Sequence, residues 1–409
     1  MRPFEAARAT FPPQPEVSSG APPDISFRIH TSLAAAEDEW RRFERAAAAT
    51  PFQSYEWLAA WHRHIGIRGG VVPVIVVGHF ATNEIAFILP LAINRGPFRR
   101  LSWLGQDLCD YNAPLLSRGF SQNVTPESFR GLWRKLQAEM QSDHETRHDW
   151  IEFEKMPEAI GDEINPFIGL EPTLNANSAH IMRLGGDWEA LYRTKRSSAT
   201  RRHDRAKRRR MAQFGDIRFI TAADAAETQA TLEILMRQKS ISFARKGIPD
   251  MFARPGYREF FLDFASNPAT RQHVHVSRVE VGSADVAANF AIVHGDCYYH
   301  ILSSYCDGRI AHFGPGVLHL RELMSHATKL GMRKFDFTIG DERYKSEWCD
   351  ERLRLFDYCA AATWRGWPAS ALSTAQRRLK RYIKQTPAAW HVVSQLRAAF
   401  GAPLGSRDS

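Results

Sequence analysis

The sequence has no run approaching the roughly 18 apolar residues that a membrane-spanning helix needs. Its five cysteines, Cys109, Cys297, Cys306, Cys349 and Cys359, form no CxxC pair. An odd, scattered set of this kind reads as reduced thiols in a cytoplasmic protein. No group of His, Cys, Asp and Glu has zinc-ligand spacing. The G-x-S-x-G elbow, the Walker loop and HExxH are all missing, so serine-hydrolase, P-loop and zincin readings fall away. The opening MRPFEAARATFPPQPEVSSGAPPD lacks the apolar region of a secretory signal. Rich in Pro and Ala, it predicts a disordered tail over residues 1–25.

What is present is enough for full cores: 409 residues, 44% hydrophobic and 11% aromatic, two to three domains by length. The net charge of +9 is concentrated in RTKRSSATRRHDRAKRRR, residues 193–210, where ten Lys or Arg face the single acid Asp204. That block alone equals the whole excess and points to an anionic partner: nucleic acid, a lipid surface or a phosphorylated ligand. Aromatic interleaving, a helix-turn-helix pattern and an RNP pattern are absent from it, which favours a solvated basic helix beside an anionic ligand. Ser197 and Ser198 are placed to cap that helix.

Hydrophobic periodicity gives the order of elements. Helices are expected over 33–49 and 54–65, strands over 71–80, 84–93 and 98–104, a helix over 125–141 and a strand over 150–155. After the basic segment come a strand at 217–220, a helix at 225–244 and a meander at 274–281, 286–293 and 297–303. A helix opening at Gly314-Pro315-Gly316 and a strand over 334–339 follow. Helices, meander, helix and strand therefore occur twice, a tandem pseudo-repeat with its boundary near Leu184-Gly185-Gly186. Pro315 suits the first helical position, Gly331 the position just past the end. A glycine-flanked loop feeding a helix N-terminus offers free N–H groups to phosphate, although Gly and Pro also mark ordinary turns.

The stretches NFAIVHGDCYYHILSSYC, FGPGVLHLREL and KFDFTIGDERYKSEW resemble the BioF2-like acetyltransferase domain of the Gcn5-related N-acetyltransferase (GNAT) superfamily, a group that includes proteins encoded with bacterial cellulose and exopolysaccharide genes. The tandem order is also similar to Fem-type aminoacyltransferases. The resemblance implies an α/β fold of two tandem GNAT-like domains, residues 26–185 and 186–367, each a mixed, mostly antiparallel sheet flanked by helices. A basic amphipathic tail over 368–409 follows, fit for peripheral contact at the inner membrane face. It also implies an acyltransferase with no permanently bound cofactor, using acyl-CoA (acetyl-CoA) as co-substrate on an amine or hydroxyl, with a sugar or sugar-nucleotide acceptor. One position departs from the wider fold: Ala311 stands where Gln or Arg is usual, and the nearest arginine is Arg309.

The donor would be held by Arg309 and by Phe313, Gly314, Pro315 and Gly316. Asp336 reads as a general base or as a loop-capping carboxylate, Tyr344 as the acid for a departing thiolate or as a packed ring. His300 would face the acyl carbonyl or sit as a satisfied core histidine. Lys345 would hold a phosphate or carboxylate. Asp110 and Tyr111, beside Asp107 in a polar loop, read as acceptor ligands or an Asx turn. Arg201 and Arg202 would meet an anionic substrate from the basic helix. Two alternatives stay open: a Fem-like transferase using aminoacyl-tRNA, which the basic helix suits, and a non-catalytic binding module on the same fold.

Overall fold

The computed structural model describes residues 24–386. Most of the expected N-terminal tail, and residues 387–409 of the expected amphipathic C-terminal tail, lie outside them. Ile25, the last residue of the expected tail, already begins a strand, Ile25–His30.

The fold is built on one mixed sheet of 13 strands. From one edge the order is Ile25–His30, Val71–Phe80, Ile85–Asn94, Arg100–Trp103 and Trp150–Pro157, then Glu351–Ala361, Thr173–Arg183, Lys334–Ile339, Cys297–Tyr305, Ala284–His294, Val274–Val281 and Ile217–Thr221. The short strand Leu115–Leu116 pairs with Ile85–Asn94 off this path. Two pairs are parallel, Arg100–Trp103 with Trp150–Pro157 and Cys297–Tyr305 with Lys334–Ile339; the other pairs are antiparallel. Each half thus repeats one plan: an antiparallel run, one parallel pair, then a closing antiparallel strand.

The closing strands are exchanged. Thr173–Arg183 comes early in the chain yet pairs with Lys334–Ile339 of the second half. Glu351–Ala361 comes late and pairs with Trp150–Pro157 of the first. The two exchanged strands pair with each other and join the halves into one sheet. A cut at residue 185 therefore parts each half from the strand that completes it.

Local chemistry explains the flanking helices. Thr125 caps Pro126–Ser142 by accepting the Ser128 amide, and Phe129, Trp133, Leu136 and Met140 are buried at helical spacing. Pro315 opens Pro315–Lys329, and Gly331 beyond its end has φ of +76°. Leu320, Met324 and Ala327 are buried as the spacing predicts, whereas Val317 is turned outward. One hydrophobic cluster spans both halves: Trp57 of the first lies edge-on to Phe260 and Phe264 of the second, at 4.8 and 4.9 Å between ring centres.

Candidate active site

The strands Cys297–Tyr305 and Lys334–Ile339 pair only from Cys297–Lys334 to Tyr299–Asp336. Beyond Tyr299 the first strand runs on to Tyr305 without that neighbour. A register shift against the Ala284–His294 strand, at Phe290 and Ala291, leaves Ile301 as the extra residue of a bulge. Bulges bend a strand and re-aim its groups. The result is a V-shaped gap in the sheet, open on both faces.

On one face the gap meets the N-terminus of Pro315–Lys329. This first cleft has a volume of about 340 Å³, and Gly314, Pro315, Gly316, Tyr305, His319 and Trp348 are among its walls. Pro315 has no N–H and the Val317 and Leu318 amides donate to the Gly314 carbonyl, which leaves the Gly316 amide without a backbone partner at the helix entrance, an end that favours an anion. Gly314 has φ of +71°, which a side chain would disfavour. A Cβ on Gly316 would come within 3.2 Å of the Tyr305 ring. Behind Gly314, a small recess is lined by Lys207 and Arg208 of the basic helix Ser198–Met211 and by Phe313 and Arg321.

On the other face a second cleft, about 480 Å³, lies against the helix Ala225–Arg245. Asp110, Gln238, Lys239, Thr338, Glu342 and Lys345 line it. Lys345 is buried, donates to the Ile339 carbonyl at 2.8 Å and pairs with Glu342 at 3.1 Å. Burial raises the pKa of Asp110 and lowers that of Lys239, in each case disfavouring the charged form.

The two clefts share His300, Ser303, Ser304, Tyr305 and Tyr344. His300 is 5% exposed and its Nδ1 has no hydrogen-bond partner. Burial, then the cations Lys345 and Lys239, push its pKa down to about 3, so the ring is neutral and can accept a hydrogen bond. Burial raises the phenol pKa of Tyr344, which keeps it protonated.

Asp336 lies elsewhere. It lines neither cleft; both its oxygens accept from the Tyr111 hydroxyl, at 2.8 and 2.9 Å, and one accepts the Thr338 amide at 2.7 Å. Thr338 has φ of +57°, rare for a β-branched residue, at a bulge between Asp336 and Ile339. Asp336 thus holds the strained bulge near the end of the strand, which fits the capping carboxylate that the sequence also offered beside the base. Tyr111 is buried beneath it, tying the first half to the second, and does not line the second cleft. Arg201 donates to the carbonyls of Arg193 and Arg196, holding two helices together. Arg202 is exposed, and Arg309 lies over the Phe214 ring; neither lines a cleft. The sequence reading passed over Gln238, Lys239 and Ser304. Nothing local marks them, since each is brought in by packing.

Residues 198–346 match the acetyltransferase (GNAT) domain. That span holds the V-shaped gap and most of both clefts. The chain thus carries a GNAT-type domain. No curated protein matches the sequence. Among solved structures, FemX superposes with a TM-score of 0.52 at 10% identity, over 81% of this chain and 97% of that one. A conserved protein of unknown function from Bacteroides thetaiotaomicron gives 0.49 at 12% identity, over 82% and 99%. The C-terminal domain of a putative lysylphosphatidylglycerol synthetase from Agrobacterium fabrum gives 0.48 at 9%, over 84% and 96%. At 10% identity the FemX likeness is one of fold.

Proposed function

We propose that the protein is an acyltransferase that moves an acyl group from acyl-CoA to an amine or hydroxyl. The observation that carries this reading is the pair of clefts on opposite faces of the sheet, meeting at His300 and Tyr344 where the strands part. The donor's pyrophosphate is placed at the Gly316 amide, the Gly314 amide being taken by the Ala311 carbonyl, with its thioester reaching the gap. The acceptor enters from the side of Asp110, Lys239 and Lys345. Its nitrogen or oxygen attacks the thioester carbonyl carbon; the new C–N or C–O bond forms and the C–S bond breaks. The acceptor's proton passes to water beside His300, and the Tyr344 hydroxyl donates to the departing sulfur. The proton released by the acceptor thus balances the one taken up by the thiolate. Free amides on the bulged strand stabilise the oxyanion.

A sugar acceptor of polysaccharide synthesis is the finer reading, supported by the resemblance of the three quoted stretches to the BioF2-like domain. A second donor reading, aminoacyl-tRNA, is favoured by Lys207 and Arg208 against Gly314, where a phosphodiester end would lie. Calorimetric titration with acetyl-CoA tests the first. We expect saturable heat from the parent chain and none from Gly316→Asp, which puts a side chain and a negative charge at the anion site. The half-exposed Tyr305 ring can shift aside, so the melting temperature should hold. No heat from the parent chain overturns the acyl-CoA reading.

A further inference from the structure

The helix Trp367–Gln385 lies on the sheet with its faces reversed. Its inward positions are polar. Ser370 and Ser373 are buried, and Ser373 Oγ donates to Glu152 at 2.5 Å. Arg377 reaches Glu152 at 2.7 Å, Glu154 at 3.0 Å and Asp357 at 3.0 Å. Its outward positions are apolar: Trp367, Ala371, Leu372, Ala375, Leu379 and Tyr382 all face solvent. With Trp364 just before the helix, the large side chains of this face run from 86% exposed at Trp364 to 59% at Leu379. A surface helix of a globular protein normally buries such a stripe.

We propose that this face docks on an anionic lipid bilayer. Charge selects that occupant. Between Ala362 and Thr386 the chain has no acidic residue, while Arg365, Arg378 and Lys380 are exposed and Arg381 and Lys384 flank them. A second copy seated face to face would set these cations against their own kind. An anionic leaflet meets them with phosphates, and the tryptophans suit the headgroup level. The inward network of Ser373, Arg377, Glu152 and Asp357 fixes the helix without using its apolar side, so among the described residues the face is left open.

Flotation of the full chain with phosphatidylcholine vesicles, with and without phosphatidylglycerol, tests the proposal. The parent should co-float only with the anionic vesicles, and less as salt rises. The full chain carrying Trp367→Ser, Leu372→Ser and Leu379→Ser should bind on the order of tenfold less, because the apolar area that enters the interface is removed. Its melting temperature should be unchanged, since none of the three is packed. A parent that stays in the soluble fraction overturns the proposal. So does a variant that floats as well as the parent, which would put the lipid contact elsewhere in the chain. A parent that elutes as a dimer, fails to float and is split by the variant overturns it in favour of a second copy. None of these readouts depends on transferase activity.

Discussion

At the residue scale, position 336 shows what a strand pattern conveys and what it omits. Alternation placed Asp336 on a strand next to a conspicuous turn, and that placement holds. Its surroundings come from Tyr111, 225 residues away, so no local signal could show that the carboxyl is enclosed. Burial raises its pKa to about 7, against its hydrogen bonds from Tyr111 and Thr338. With an unfolded value near ~3.9, the group binds more proton in the folded state between those limits. Its contribution to stability is therefore full below about pH 4 and is lost as pH rises through about 7. Asp336→Asn removes this dependence, while its remaining oxygen can still accept from Thr338. Buried His275, His300 and His319, each pushed down to about 3 mainly by burial, act in the opposite sense but are common to both proteins. Urea midpoints between pH 4 and 8 should therefore show the parent losing ground to Asp336→Asn as pH rises, then running level above about pH 7. Parallel curves throughout would mean that the carboxyl is ionised across the range.

At the element scale, the legible pieces are those whose ends carry their own chemistry. Pro315 and Gly331 bracket one helix, Thr125 caps another, and Ser197 accepts the Thr200 amide at 3.1 Å at the start of the basic helix. The exchanged strand TLNANSAHIMR was not legible, because Asn and Ala weaken its β propensity and its place between two other strands decides its conformation. The helix Tyr257–Ser266, YREFFLDFAS, was missed too, although Tyr257, Phe260, Phe261 and Phe264 stand at i, i+3, i+4 and i+7 and mark one buried helical face. The basic helix was expected beside an anionic ligand, and Lys207 and Arg208, rather than Arg201 and Arg202, line the recess behind Gly314. Replacing Lys207 and Arg208 by Ser should weaken binding of the phosphorylated donor at low salt. The deficit should close towards 1 M salt, where the screening length falls to ~3 Å. Equal affinity of parent and variant at low salt would leave the helix as a solvated surface.

At the scale of the whole molecule, the exchange of closing strands sets how the protein unfolds. Chains of this length commonly unfold domain by domain, because each domain keeps its own core. Here neither half has a complete sheet without a strand from the other, and one apolar cluster contains Trp57 and Leu115 from the first half with Phe260 and Phe290 from the second. Trp57 is fully buried, edge-on to Phe52, Phe260 and Phe264. Trp57→Ala opens a cavity at that junction and should cost about 3–5 kcal/mol. If the halves are one cooperative unit, the parent melts in one calorimetric transition. The substitution then moves that whole transition down without splitting it. Near-ultraviolet circular dichroism and the far-ultraviolet signal should move together. Two resolved transitions in the parent, or a variant in which only one of two transitions shifts, would show that the halves fold independently and that the shared strands and shared core do not couple them.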